Sequence, residues 1–293
     1  MDQNFGSPEG CNLPLHNGTM SLSFYSRSVP MYKAATSYIS IIVFIFSFVL
    51  TVTLETAAQS DAEAKAKAED LNRQAILRIR EAKYDQAIPL LNQAITIAPK
   101  FAEGHLNLGS AHMLAGRPAD SISHLKRGIE LDPSAPEGFN QLGVAYEKMG
   151  KVNLAIEALE KAIALKPDYA LGHFNLGAAY LWDGKEKPAQ QALERANQLD
   201  PKNNDIKLYL GVLYARQKKY QKAIDEVKAV TSAAPNDQQA HLILCRIYLL
   251  ADDRNAALGM YQSFKAVNEP LAEEMYKWIF SNQVISAGGL IGR

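Results

Sequence analysis

The stretch Ala170–Pro201, ALGHFNLGAAYLWDGKEKPAQQALERANQLDP, is the unit that the rest of the chain repeats. Its closing proline belongs to a ladder, Pro99, Pro133, Pro167, Pro201 and Pro235, with 34 residues from rung to rung. Counting back from each proline places a small residue at the eighth position of every unit: Ala75, Gly109, Gly143, Gly177, Gly211 and, in a sixth copy, Cys245. The twentieth position is small as well, with Ala87, Ser121, Ala155, Ala189, Ala223 and Ala257. A fixed period of this length marks a solenoid, in which each unit buries its apolar face against its neighbours rather than around one centre.

Inside a unit the apolar residues recur at helical spacing in two runs, such as Phe139, Leu142, Tyr146 and then Ile156, Leu159, Ile163, so each unit reads as two helices. Gly116, Gly150 and Gly184 fall between the runs, where a helix end calls for a left-handed residue. The ladder proline stops the second helix and pushes the residue before it out of helical geometry. Small residues at positions eight and twenty allow the two helices to approach closely, and Tyr146, Tyr180, Tyr214 and Tyr248 fill the space beside them.

Composition narrows the function classes. The formal net charge is +0, with no clustered basic surface of the kind that phosphate neutralisation needs, which argues against a nucleic-acid partner. No glycine-rich phosphate loop, paired-cysteine metal motif or nucleophile elbow is present in the sequence. No enzyme, cofactor or metal is therefore expected. His105, His173 and His241 share position four of alternate units, too far apart for one metal ion, and are read as structural packing of the hairpin interior. His112 lies two turns from His105, and His124 lies on a second helix. Cys245 occupies a position that needs a small packed side chain and reads as core, with no pairing expected to Cys11.

The N-terminal part differs in kind. Residues 1–33 are rich in Gly, Pro, Ser and Asn and are expected to be disordered; Asn17-Gly18-Thr19 matches a glycosylation acceptor. From Ala34 to Leu54 there is no charged residue. As a helix at ~1.5 Å per residue this run is about 31 Å long, enough to cross a bilayer core. Two readings stand: an uncleaved anchor, or a signal peptide starting at Met31 and cleaved near Thr56-Ala57-Ala58. Lys33 abuts the run, whereas the next basic residue after it is Lys65, which favours a cytoplasmic N-terminus with the repeats on the extracytoplasmic, periplasmic side; a cytoplasm-facing membrane protein is the alternative. Residues 55–67, rich in alanine and mixed charge, read as a helical linker.

The 34-residue pattern resembles the tetratricopeptide repeat family, with Ala94, Gly128, Ala162 and Ala196 completing a match at position twenty-seven. The resemblance implies an all-α, right-handed solenoid of about six helix-turn-helix repeats over residues 68–270 (68–101, 102–135, 136–169, 170–203, 204–237, 238–270). Residues 271–280 then read as a capping helix and 281–293 as a loose tail. The family resemblance further implies a non-catalytic scaffold that holds a peptide or protein in a concave groove lined by the first helix of each repeat. Self-association, or a role as accessory subunit of a membrane enzyme or secretion complex, is the alternative.

Carried onto this sequence, the groove positions present Asn107, Gln141 and Asn175 in successive repeats, whose amides offer both donor and acceptor to an extended backbone, and Tyr209 at the same position. Position thirteen alternates between the basic Arg80, Lys148 and Arg216 and the apolar Leu114, Trp182 and Leu250. Phe174 and Trp182 add aromatic anchors of the type that dominates interface energy. Positions five and nine, for example Asn140 with Val144, do not supply the lysine–asparagine clamp of chaperone-tail binders.

Overall fold

The computed structural model describes residues 29–280 and Leu290, and among these it is helical throughout, without strands. The helices are α1 (Val29–Arg80), α2 (Tyr84–Ile97), α3 (Ala102–Leu114), α4 (Pro118–Leu131), α5 (Pro136–Lys148), α6 (Val152–Leu165) and α7 (Ala170–Trp182). They continue with α8 (Glu186–Leu199), α9 (Asn204–Arg216), α10 (Tyr220–Ala233), α11 (Gln238–Leu250), α12 (Arg254–Lys265) and α13 (Glu269–Phe280). The chain divides between Ala62 and Glu63 into two compact units. The acceptor at Asn17, Cys11 and most of the expected tail lie outside the described residues.

In the first unit the side chains from Ile42 to Leu54 are exposed, Phe44 and Phe46 by 72% and 71%, so no protein core covers them. Their hydroxyl neighbours turn inward to the helix: Thr51, Thr53 and Thr56 donate to the carbonyls of Phe48, Leu50 and Thr53 at 2.8, 2.9 and 3.0 Å. Such back-bonding satisfies these three hydroxyls without water. This helix is long and apolar enough to cross a membrane. The alanine-rich residues 55–67 continue the same helix.

In the second unit, helices pair as antiparallel hairpins, and the small eighth position sets their separation. A Cβ placed on Gly109, Gly143 or Gly177 would come within 2.6 Å of Leu125, Leu159 or Leu193, each fully buried at position twenty-four of the same repeat. On Gly143 it would also lie 3.2 Å from the backbone carbonyl of Ala155 at position twenty. The pattern of small residues is therefore a steric requirement of one helix lying on another.

The proline ladder acts as its chemistry dictates. The residue before each rung, Ala98, Asp132, Lys166, Asp200 and Ala234, is a helix C-cap with φ between −127° and −138°. The histidines at position four are tied to these rungs. Nε2 of His105, His173 and His241 lies 3.2, 2.9 and 2.9 Å from the carbonyl of Pro99, Pro167 and Pro235. A carbonyl only accepts, so Nε2 carries the proton. They are structural, but they sit at the junction between repeats: His105 is buried, whereas His173 and His241 are only half-buried, which corrects the placement in the hairpin interior.

Position fifteen takes the left-handed conformation in every repeat. Gly116, Gly150 and Gly184 have φ of 75°, 70° and 75°, and the same turn in the other repeats is made by Ala82 (56°), Lys218 (59°) and Asp252 (61°). For a residue with a Cβ this conformation is strained by about 1–2 kcal/mol. At the far end α13 lays Leu271, Met275 and Ile279 into the core shared with Ile247 and Tyr248, and Leu290 joins that core.

Urea unfolding midpoints test both local rules. Gly143→Leu is expected to lower stability by at least ~1–3 kcal/mol through overpacking against Leu159. Lys218→Gly is expected to raise it by about 1 kcal/mol by relieving the left-handed strain. Unchanged midpoints would contradict the packing and the turn assignments respectively.

Candidate functional site

Each first helix from α3 to α9 touches the next first helix, α3 to α5, α5 to α7, α7 to α9 and α9 to α11, with no comparable contact between successive second helices among the described residues. The first helices therefore form the inner surface of the array. Along it one rule governs the side-chain contacts: a residue meets the residue 35 positions later, one repeat on and one place further along the helix.

At positions five and six the rule produces matched pairs. Asn107 Nδ2 donates to Asn72 Oδ1 at 2.9 Å, and Asn175 Nδ2 donates to Asn140 Oδ1 at 2.8 Å. Asn72 and Asn140 are almost fully buried, so these amides satisfy each other away from water. Asn72 also donates to Glu103 Oε1 at 3.0 Å. Phe174 and Tyr209 make the same link with their rings, centroids 5.0 Å apart and inclined at 80°. Nδ2 of Asn107 and of Asn175 thereby joins one hairpin to the next, which the sequence pattern alone did not indicate. Gln141 differs, because its Oε1 is buried and has no hydrogen-bond partner within the described residues.

At positions twelve and thirteen the rule recurs. Arg216 Nη1 donates to the Leu181 carbonyl at 2.7 Å, so this guanidinium is half-buried and partly committed. The Trp182 indole donates to the Glu147 carboxylate. Burial pushes the Glu147 carboxyl above the usual carboxylate range, opposed by the charge of Lys148 and by the Trp182 hydrogen bond. The Tyr209 phenol is also pushed up, first by burial and then by the negative charges of Glu147 and Asp205. Arg80 and Lys148 are exposed.

A tetratricopeptide repeat model matches residues 78–140 and 183–247, and a second model of the same repeat matches residues 148–184, together more than half of the chain. The chain belongs to the tetratricopeptide repeat family. Among curated protein sequences, none matches it. Solved structures of the family share its fold at low identity. PilF from Pseudomonas aeruginosa superposes with a TM-score of 0.63 at 18% identity, covering 74% of this chain and 97% of its own. A tetratricopeptide repeat protein from Parabacteroides merdae gives 0.60 at 14% identity, covering 73% and 86%. YrrB, described as having an unusual peptide-binding site, gives 0.51 at 21% identity, covering 64% and 97%.

In this tetratricopeptide repeat chain the reactive-looking groups have structural uses. Cys245 is fully buried, and burial alone pushes its thiol up to about 12, which keeps it unreactive. His124 stacks on His112 (5.6 Å between centroids, 2° between planes) and on His105 (6.1 Å, 26°). Sequence spacing gave no sign of this stack, because it crosses from α3 to α4. Parallel stacked rings cannot converge their nitrogens on one ion, and no metal-holding cluster occurs among the described residues. Burial lowers both His112 and His124, with the neighbouring imidazoles adding to the effect at His124 and Asp120 opposing it at both.

Glu147 escaped sequence reasoning, although its place directly before Lys148 puts it at a groove position. A double-mutant cycle of Asn140→Ala and Asn175→Ala, read by urea unfolding, is expected to show a coupling of about 0.5–1.5 kcal/mol. Additive effects would mean that the amide pair does not join the repeats.

Proposed function

We propose that the chain is a membrane-anchored, non-catalytic scaffold that holds an extended segment of a protein partner against the inner surface of its repeats. Tetratricopeptide repeat proteins act as protein-interaction scaffolds. The observation that carries the finer reading is Gln141: its amide oxygen is buried on the inner surface without a donor among the described residues, and turning the side chain outward would let a partner's backbone N–H complete it. Lys148 and Arg80, exposed on the same surface, and the aromatic pair Phe174–Tyr209 supply charge and apolar area to the same groove.

Affinity capture from detergent-solubilised native cells compares the wild type with a folded variant carrying Gln141→Ala, Lys148→Ala and Tyr209→Ala. A partner retained by the wild type and lost from the variant is the expected result. Equal retention would move the contact to the outer surface or the ends of the array. A second reading, self-association, rests on Tyr276 and Phe280 of the terminal helix, which are 49% and 48% exposed while stacked on each other with centroids 4.4 Å apart. It predicts a mass that rises with concentration and no foreign partner.

The anchoring part of the proposal rests on the uncharged run Ala34–Leu54, its exposed apolar side chains and its internally bonded threonines. With Lys33 before the run, the repeats are assigned to the extracytoplasmic side. The protein is expected to resist carbonate extraction of membranes, and its repeats are expected to be cleaved by protease added to cells with a permeable outer envelope. Protection of the repeats would reverse the orientation.

A further inference from the structure

The inner surface formed by α5, α7 and α9 holds a carboxylate in an aromatic setting. Glu147 on α5 is half-buried and accepts the indole N–H of Trp182 from α7. Tyr209 on α9 lies within electrostatic reach of that carboxylate, and its ring packs edge-on against Phe174. Among the described residues no basic side chain forms an ion pair with Glu147. Its neighbour Lys148 is exposed to solvent.

The solvent-exposed Lys148 charge and one neutral donor together do not balance the desolvated anion, as the upward displacement of its carboxyl shows. The group whose arrival would balance it is a cation. The surrounding rings favour the same visitor, since the faces of Trp and Tyr attract ammonium and guanidinium groups, and more strongly where water is displaced. Asp205, whose charge also reaches Tyr209, adds to the negative potential. Arg216, the basic residue at position thirteen of the fifth repeat, is held to the Leu181 carbonyl.

We propose that Glu147, Trp182 and Tyr209, backed by Phe174, form a subsite that receives one lysine or arginine side chain of the bound partner segment. This inference rests on the groove reading above and specifies the chemistry of its occupant. The cationic head meets the carboxylate, and the aliphatic stem lies along the rings.

The test selects a phage-displayed random peptide library on the full chain in detergent, with wild type and Glu147→Gln in parallel. Glutamine keeps an oxygen for the Trp182 indole, and an unchanged thermal melt confirms that the variant is folded. Wild type is expected to enrich peptides that share a Lys or Arg at one place. Those peptides should bind Glu147→Gln about tenfold more weakly. Their affinity for the wild type should fall with acidification, beginning above the ordinary carboxylate range, because binding needs the ionised form. Lys187→Gln, exposed on the second helix α8, should leave the preference intact.

Enriched peptides without a shared cation, or with equal affinity for Glu147→Gln, would overturn the subsite while leaving the groove in place. Enrichment of no peptide by either protein would overturn the groove reading and the subsite together.

Discussion

The close approach of two helices in each hairpin is the constraint on which the structure depends. Where position eight is glycine there is no room for a further carbon, because a buried leucine or valine from position twenty-four already fills the space. That contact fixes the depth at which the second helix lies behind the first. With the depth fixed, the first helices of successive repeats come side by side and their polar edges can meet. The histidine-to-proline hydrogen bonds then fasten the start of one repeat to the end of the one before.

The inner surface that results changes character along the array. Two of its links are amide pairs, Asn72 with Asn107 between the first and second repeats and Asn140 with Asn175 between the third and fourth. The link between the fourth and fifth repeats is aromatic. In the next, Leu208 and Ile243 occupy the same two positions and are buried in one core. Hydrogen bonds between amides demand alignment, whereas aliphatic contacts tolerate sliding. The C-terminal half has the larger continuous core, reaching from Leu181 to α13 and Leu290.

Much of the fold was legible because it rests on local rules with a fixed period. The proline spacing gave the repeat length, and the small residues gave the register. Ala82, Lys218 and Asp252 were not legible as left-handed residues, since nothing in their chemistry demands that conformation; the turn imposes it on whatever stands at position fifteen. The inner-surface positions could be numbered from the repeat, but the contacts their side chains make could not. Asn107 and Asn175 stand on the inner surface, yet their donors face backward to buried asparagines, a fact that requires knowing how two helices from different repeats align. Glu147 was hidden for the same reason, its significance lying in a tryptophan 35 residues away.

The offset of 35 residues in a 34-residue repeat has a consequence for how such a protein can change by recombination. A crossover at a repeat boundary delivers a complete hairpin but separates each inner-surface residue from its mate. Moving the third repeat alone would carry Asn140 and Glu147 away from Asn175 and Trp182. What is inherited as a functional module is therefore a neighbouring pair of first helices, and a lineage that shuffled single hairpins would keep the architecture while scrambling the surface it presents.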